Sequence, residues 1–314
     1  MTKKLQVGLI GCGSWGRHIL RDLLSLGCDV TVVSNSETGR QNARDGGATE
    51  IVESVGHLPL VSGVIVATPT STHAEVIESL LELNVPIFTE KPLTADRESA
   101  FRLAGQAPDR LFVMDKWRYH PGIEMLRDIA RAGELGPVVG LRTTRAQWGN
   151  PHADVDICWI LMPHDLSIAL EVFGKIPMPR YAVAEKSGNQ LTTLLGILGG
   201  DLDSPGEPWL IVEVSSRHPQ HHREIRLHCR DGVAILDDGY SPGISVTRSE
   251  NLRGGQPPAS ELRPISQELP LLRELRAFVE HLQGGPPPRS SAAEGAQVVN
   301  AIAGLRELAG LDKE

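Results

Sequence analysis

Three glycines near the N-terminus, Gly11, Gly13 and Gly16, have the spacing of a loop that binds the diphosphate of a dinucleotide. The apolar run 5–10 before them is typical of a buried parallel strand, and apolar residues at helical spacing follow. The first glycine permits a tight turn, the second lets the backbone approach the phosphates, and the third lets helix and strand pack closely. The helix N-terminus favours the anion through its N–H groups and its dipole. The predicted diphosphate-binding residues are Gly11, Gly13, Ser14, Trp15 and Gly16.

The end of the second predicted strand bears on the choice of nucleotide. NAD-preferring units place an acidic residue about twenty residues past the glycines, where it binds the ribose hydroxyls. Here Ser34, Asn35 and Ser36 follow the strand, and the nearest acid is Glu37. Because serine hydroxyls can donate to a phosphate and the Arg40 or Arg17 guanidinium can supply the charge, we predict that NADP is preferred, with NAD as the alternative. The predicted ribose-side residues are Ser34, Asn35 and Arg40.

Two further strands end in residues that could do chemistry. Hydroxyl groups and a histidine follow one strand, and Glu90-Lys91-Pro92 ends the other. A partly buried lysine could donate or accept the proton that accompanies hydride transfer, because burial disfavours its charged form. The alternative for Lys91 is a surface turn that starts the next helix. The predicted cofactor-binding residues of these loops are Thr68, Pro69, Thr70, His73, Glu90 and Lys91.

The elements that must position these loops alternate along the first third of the chain. Predicted strands span residues 5–10, 28–33, 63–67, 86–89 and 111–114. Predicted helices span residues 14–26, 37–45, 72–83 and 95–105. Such alternation predicts an α/β fold with a doubly wound parallel sheet, whose ligands bind beyond the carboxyl ends of the strands. We therefore predict a dinucleotide-binding Rossmann domain over residues 1–118.

The remainder of the chain, residues 119–314, has the pattern of an α+β domain with a mainly antiparallel, open sheet. Predicted helices span 121–132, 162–173 and 270–283, and a last helix over 291–311 starts at a capping box and is expected to pack back on the Rossmann domain. Predicted strands span 137–148, 180–186, 191–198, 208–217, 223–230 and 243–248. Residues 250–268 are predicted to form a surface loop. An exposed sheet of this kind is commonly covered by a second copy, so we expect a homodimer or homotetramer through it.

Composition excludes several classes of partner. The net charge is −8 with interleaved signs, and only 4% of residues are aromatic, which argues against nucleic acid or an anionic membrane surface as a partner. Four cysteines without CxxC spacing, and an N-terminus without a signal-peptide core, predict a cytoplasmic protein. His218, His221 and His222 are expected in a hairpin loop and not in a metal site, because no cysteine or carboxylate accompanies them at a ligand spacing.

The glycine turn, the Thr68–His73 loop and Glu90-Lys91-Pro92, in this order and spacing, resemble the Gfo/Idh/MocA family of oxidoreductases. The resemblance extends to the segment 117–121 and to the helix around His164. It implies that Lys91, before a proline in a cis peptide bond, acts beside the nicotinamide and the substrate. It also implies that Glu90 positions this loop.

One position departs from the family pattern. Family dehydrogenases resemble one another in a helical Asp-x-x-x-His pair, and the i, i+4 spacing lets both side chains reach one hydroxyl. Here His164 matches the histidine, but position 160 is Ile, and Pro163 predicts a helix that starts after that position. The catalytic residues implied by the resemblance are therefore Lys91 and His164. The predicted substrate-contacting residues are Arg118, Tyr119, Trp148, Trp159 and His164.

These observations predict an NAD(P)-dependent oxidoreductase that transfers a hydride between nicotinamide and a carbonyl or carbinol carbon of a sugar, a sugar nucleotide or a related metabolite. Ile160 keeps three alternatives open. The first is a nucleotide-binding protein without catalysis, such as a regulator or redox sensor. The others are an imine reductase and a lyase that uses its cofactor internally.

Overall fold

The computed structural model describes residues 4–200, 206–249 and 259–311. The chain divides into two compact units, residues 1–116 with 269–299 and residues 117–268 with 300–314. The first boundary lies two residues before the one predicted from the sequence. Residues 269–299, which the sequence analysis assigned to the second domain, lie in the first unit, and this corrects that assignment.

The first unit contains a six-stranded parallel sheet in the order β3-β2-β1-β4-β5-β6. Its strands are β1 (Gln6–Ile10), β2 (Asp29–Val33), β3 (Glu50–Val52), β4 (Gly63–Val66), β5 (Ile87–Glu90) and β6 (Leu111–Met114). The central strands are apolar and buried, as expected for a sheet covered on both faces. The strand order reverses between β1 and β4, so the predicted doubly wound fold is confirmed, and the loop after β1 lies at the switch point where such sheets bind ligands.

The helices of this unit are α1 (Gly16–Ser25), α2 (Glu37–Asp45), α3 (His73–Leu80), α4 (Arg97–Gln106) and α7 (Pro270–Leu282). Helix α7 reaches the sheet from far along the chain because its apolar face, including Leu275 and Phe278, is buried there. The Phe278 ring stacks on Phe88 of β5 at 4.9 Å between centroids. A Cβ on Gly63 of β4 would lie 2.6 Å from Leu282, so glycine makes room for this helix.

The second unit contains an eight-stranded sheet in the order β14-β13-β12-β11-β7-β10-β9-β8. Its strands are β7 (Val138–Trp148), β8 (Pro179–Ser187), β9 (Gln190–Leu198), β10 (Trp209–Ser215), β11 (Arg217–Cys229), β12 (Gly232–Leu236), β13 (Gly243–Arg248) and β14 (Ser260–Pro264). All neighbours are antiparallel except β7 and β10, which confirms the predicted mainly antiparallel sheet. One face is lined by buried apolar residues, among them Leu141, Leu194 and Val212.

Two helices of this unit are α5 (Pro121–Ala132) and α6 (Ile157–Phe173). The predicted start of α6 at residue 162 was wrong. The helix begins at Ile157, because the Asp156 carboxylate accepts a hydrogen bond from the Cys158 N–H at 2.9 Å and caps it. Pro163 lies inside the helix, and all residues from Ile157 to Val172 are buried. Burial on this scale outweighs the backbone hydrogen bond that a proline removes.

Helix α8 (Ala292–Leu308) begins at the predicted capping box. The Ser291 hydroxyl accepts from the Glu294 N–H at 3.2 Å, while the Glu294 carboxylate accepts from the Ser291 N–H at 2.9 Å. The Val113 N–H donates to the carbonyl of Ser290, so the helix start is tied to β6. The helix belongs to the first unit up to Val299 and to the second from there on.

Other local predictions need correction. The histidines 218–222 lie within β11, next to a register shift, and not in a hairpin loop, because β10 and β11 flank β7 instead of pairing with each other. Strands β3 and β12 were not predicted, and β14 lies within the predicted loop 250–268, of which 250–258 fall outside the described residues. All four cysteines are buried and unbridged. None of the helices in the described ranges is long and apolar enough to span a bilayer.

Candidate functional site

The glycine turn after β1 has the geometry of an anion cradle. Gly11 adopts φ +91°, in the left-handed region, and a Cβ there would lie 2.8 Å from the Ala67 carbonyl oxygen. A Cβ on Gly16 would lie 2.4 Å from the Gly11 carbonyl oxygen. By contrast, no atom of the described residues lies within 4 Å of the position that a Gly13 Cβ would take. Gly11 and Gly16 are therefore required by packing, while the open space at Gly13 leaves the backbone accessible to a ligand.

The N-terminus of α1 is suited to a diphosphate. Trp15 is its N-cap, and within the described residues no side chain caps this helix end, nor does an acidic residue lie in its first turn. The Asn42 side chain holds the turn by donating to the Cys12 carbonyl at 2.8 Å, and the Gly11 N–H donates to Val33. A helix N-terminus without a capping side chain and without an acidic residue in its first turn favours a bound anion. These residues thus fit the diphosphate of a dinucleotide.

Glu90 links the glycine turn to Lys91. The Trp15 indole N–H donates to one of its carboxylate oxygens, and the Lys91 backbone N–H donates to the other at 3.2 Å. The Lys91–Pro92 peptide bond is cis, and Lys91 is half-buried. Lys116, two residues after the end of β6, places its ammonium group 4.1 Å from the centre of the Trp15 indole ring. Residues from the ends of β1, β5 and β6 therefore meet at one edge of the sheet.

A buried carboxyl group from α7 lies behind this edge. Glu274 is 1% exposed, and its Oε2 atom has no hydrogen-bond partner among the described residues. Burial raises the pKa of Glu274 well above its ordinary value, and the nearby Glu90 carboxylate raises it further, while Lys116 opposes this. Burial also raises the pKa of Glu90, against the opposing ammonium group of Lys91. Burial and the neighbouring carboxylate therefore favour the protonated, neutral form of Glu274.

At the end of β2, the predicted ribose-side residues are held by local contacts. Arg40 donates to the Glu37 carboxylate at 3.0 and 3.2 Å and to the Asn35 carbonyl at 3.1 Å. Ser34 is buried, with its hydroxyl 3.5 Å from that of Ser36, which caps α2. Hydrogen bonds from Arg44 and Arg40 lower the pKa of Glu37. The ionised Glu37 carboxylate therefore binds the Arg40 guanidinium, which the sequence had suggested as the partner of a 2′-phosphate.

The loop after β4 brings hydroxyl groups to the same edge. The Thr72 hydroxyl donates to the Pro69 carbonyl at 2.8 Å and lies 2.9 Å from the Thr68 hydroxyl, and Thr70 is buried. His73 begins α3 and is buried, with both ring nitrogens on backbone carbonyl oxygens. The structure therefore engages His73 with the backbone, in contrast to the direct cofactor contact that the sequence analysis assigned to it.

The second unit contains the other predicted site residues in a polar and aromatic cluster. His164, on α6, is buried, and its ring centre lies 6.4 Å from that of Trp117. The Arg145 guanidinium lies 4.3 Å from the centre of the Trp117 ring and pairs with Asp165 at 3.2 Å. Arg145 and Asp165 are almost fully buried, and burial raises the pKa of Asp165 while Arg145 lowers it. Ile160, one turn before His164, is also buried and offers no polar group.

The remaining predicted substrate residues differ in accessibility. Arg118 is buried and donates to the Glu171 carboxylate at 3.0 Å. Tyr119 and Trp159 are also buried, whereas Trp148 is 73% exposed at the end of β7. Trp148 is therefore the candidate in this set that an incoming molecule reaches without any movement of the side chains around it.

Sequence reasoning missed three residues of the charged cluster that includes Glu90, namely Lys116, Asp115 and Glu274. Lys116 and Asp115 follow β6 as the other site residues follow their strands, so the same rule could have found them. No local signal identifies Glu274, which reaches the site through the packing of α7. Within the described residues no group of three His, Cys, Asp or Glu side chains is arranged to hold a metal ion.

Comparison with known proteins gives consistent results. Residues 5–111 match the family described as "Oxidoreductase family, NAD-binding Rossmann fold". UDP-N-acetylglucosamine 3-dehydrogenase of Acidithiobacillus ferrooxidans is 32% identical over 184 residues, which cover 57% of this chain and 58% of the relative. Inositol 2-dehydrogenase of Corynebacterium glutamicum (strain R) is 31% identical over 153 residues, 45% of each chain. The chain thus aligns with about half the length of these curated relatives.

Solved structures resemble the whole chain. The structure of the A. ferrooxidans enzyme has a TM-score of 0.83 at 23% identity and covers 99% of both chains. Levoglucosan dehydrogenase in complex with NADH and levoglucosan has a TM-score of 0.83 at 15% identity, covering 99% of this chain and 98% of the other. At these identities the likeness establishes the fold of both units. The family match shows that residues 5–111 have the NAD-binding Rossmann fold of this oxidoreductase family, and the chain as a whole is similar in fold to the dehydrogenases named above.

Proposed function

We propose that the chain is an NAD(P)-dependent oxidoreductase that transfers a hydride between nicotinamide and a carbinol or carbonyl carbon of a sugar, a sugar nucleotide or a related metabolite. The observation that carries this proposal is the link from Trp15 through Glu90 to Lys91, because it ties the lysine to the dinucleotide cradle. The relatives named above act on an inositol and on a nucleotide-linked sugar, which supports a polyhydroxylated substrate.

Lys91 is the proposed acid–base residue. When bound, the nicotinamide supplies or accepts the hydride. In the oxidising direction the Lys91 amine takes the proton of the substrate hydroxyl, and in the reducing direction its ammonium returns that proton to the carbonyl oxygen. Glu90 fixes the backbone next to Lys91 through the 3.2 Å hydrogen bond. We assign His164 an assisting role, as a group that can hold or pass a proton near neutral pH.

For the cofactor we propose NAD(H), with NADP(H) as the weaker ligand. The contacts of Glu37 with Arg40 support this, because a 2′-phosphate would have to displace an ionised carboxylate from the guanidinium and would be repelled by it. Titration calorimetry with both oxidised cofactors tests the proposal, and tighter binding of NADP⁺ would overturn it. This proposal departs from the NADP preference predicted from the sequence, and the same titration decides between them.

Lys91→Ala tests the catalytic proposal. We expect it to bind NAD⁺ with unchanged affinity and to lose turnover on every substrate in a panel of UDP-N-acetylglucosamine, inositol and levoglucosan that the wild type oxidises. The matched control is Lys175→Ala, which removes an exposed lysine paired with Glu207. Turnover by Lys91→Ala at the wild-type rate would refute the role of Lys91.

Ile160 favours a second candidate, a protein that binds the nucleotide without catalysis. Family dehydrogenases resemble one another in having an aspartate at this position. The buried isoleucine found here provides no polar partner for a substrate hydroxyl. Binding of NAD⁺ by the wild type without turnover of any carbinol, carbonyl or imine substrate would support this candidate. If Ile160→Asp then gave activity, the isoleucine would be identified as the cause.

We propose a homo-oligomer, dimer or tetramer, formed through the outer face of the second sheet. On β8, Tyr181 and Val183 are 71% and 70% exposed on the same side of the strand. Tyr181 lies opposite Ile197, which lies opposite Ile211, so an apolar row continues across three strands. Such a face is commonly covered by a second copy. Sedimentation equilibrium measures the mass, and a monomer at micromolar concentration would refute the proposal.

A further inference from the structure

His73 lies between the loop after β4 and the loop after β5, and the second of these carries the proposed catalytic lysine. It is the first residue of α3 and is 1% exposed. Its Nδ1 lies 2.8 Å from the carbonyl oxygen of Pro92, the residue next to Lys91. Its Nε2 lies 3.1 Å from the carbonyl oxygen of Thr68, in the loop after β4. One imidazole ring therefore contacts both loops through backbone atoms alone.

The chemistry of imidazole makes these two contacts unequal. A carbonyl oxygen only accepts hydrogen bonds, and a neutral imidazole carries one N–H donor and one acceptor nitrogen. Neutral His73 can therefore hold either Pro92 or Thr68, whereas the protonated ring can hold both. Because the Nδ1 contact is the shorter one, the proton of the neutral ring belongs on Nδ1, and Pro92 is the residue held.

The surroundings determine which form predominates. Burial lowers the pKa of His73, the carbonyls of Pro92 and Thr68 raise it, the Lys91 ammonium lowers it and the Leu93 backbone raises it, with a net decrease. Among the described residues, the charged group that acts on the His73 ring is Lys91. The other groups that act on the ring belong to the backbone of Pro92, Thr68 and Leu93. His73 is therefore neutral at neutral pH and gains its second hydrogen bond only in acid.

We propose that His73 is a positioning residue for Lys91: its Nδ1–H holds the Pro92 carbonyl, and its Nε2 bonds Thr68 only when the ring takes up a proton. The inference rests on the proposed function, in which Lys91 exchanges a proton with the substrate. A displacement of about 1 Å at such a group can cost about 100-fold in rate. The structure thus assigns His73 an effect on turnover with little effect on nucleotide affinity.

Two amide variants separate the two bonds. In His73→Asn the amide nitrogen can take the place of Nδ1, and in His73→Gln it can take the place of Nε2. We expect Asn to keep kcat within several-fold of the wild type and Gln to lower kcat about 100-fold, with NAD⁺ affinity unchanged in both. His57→Asn, at an exposed histidine of the same unit, is the control. If Gln retains as much kcat as Asn, or if both variants lose it equally, the proposal is overturned.

Nitrogen NMR of the wild-type imidazole rings tests the same claim without any substrate. The His73 signals are assigned as those missing in His73→Asn. At pH 8 we expect a proton on Nδ1 and a bare Nε2, and on acidification below pH 6.5, the ordinary value, both nitrogens should carry protons. A proton on Nε2 at pH 8 would overturn the proposal. A failed search for substrates leaves this result standing, so the failures of the two proposals can be distinguished.

Discussion

Two glycines of the turn, Gly16 and Gly13, predict opposite consequences for an added methyl group. A Cβ on Gly16 would lie 2.4 Å from the carbonyl oxygen of Gly11, a distance that no real Cβ contact shows and that only a backbone shift could relieve. A Cβ on Gly13 meets nothing within 4 Å among the described residues, and Gly13 does not have a positive φ. Gly16→Ala should therefore damage the fold, and Gly13→Ala should damage only the binding of a ligand.

The magnitudes follow from these distances. Overpacking a well-packed position costs about 1–3 kcal/mol. Gly16→Ala should therefore lower the free energy of unfolding by at least about 1 kcal/mol. Gly13→Ala should leave stability unchanged or raise it by about 0.5 kcal/mol, because alanine restricts the unfolded chain. If the methyl group displaces one charge-assisted hydrogen bond to the diphosphate, worth about 2 kcal/mol, NAD⁺ binding weakens about 30-fold.

Urea denaturation and titration calorimetry separate the two effects. We expect Gly13→Ala to unfold at the wild-type urea concentration and to bind NAD⁺ weakly, whereas Gly16→Ala should unfold at lower urea. Wild-type affinity in Gly13→Ala would show that no ligand approaches the open side of the turn. That result would contradict the assignment of the cradle itself.

Three further predictions concern charged groups. Glu37→Gln should raise the ratio of NADP⁺ to NAD⁺ affinity, measured by calorimetry, because Arg40 is released from an ionised partner. The raised pKa of Glu274 means that the folded protein keeps a proton that the unfolded chain loses above pH 4.5. The free energy of unfolding of the wild type should therefore fall as the pH rises above 4.5. Glu274→Gln should remove this fall in urea titrations between pH 5 and 8. Arg145→Met should lower the free energy of unfolding by about 3–5 kcal/mol, because it leaves Asp165 buried without its partner. Adding Asp165→Leu should restore most of this stability. A double variant as unstable as Arg145→Met alone would contradict the prediction.

The sequence predicted the first unit well because its signals are local. Each site loop directly follows an apolar strand, so the parallel topology alone brings the residues after β1, β4 and β5 to one edge. The second unit was predicted less accurately. The start of α6 depended on whether Pro163 or the Asp156 cap decides the boundary, and burial of the whole helix favoured the cap. The position of β11 depended on a non-sequential pairing with β7, which no hairpin signal reveals.

Glu274, which the sequence did not reveal, has a cost in stability that also indicates its importance. A carboxyl group that is fully buried with an unsatisfied oxygen costs stability, and α7 could pack on the sheet with an apolar residue at position 274. Its neighbours Glu90 and Lys116 both contact Trp15 of the dinucleotide cradle. Local rules are broken in natural proteins chiefly at functional sites, where a cost in stability is balanced by a gain elsewhere. The protonated form that burial favours at position 274 spares Glu90 a second negative charge beside it, and Glu90 is the group that holds the Lys91 backbone.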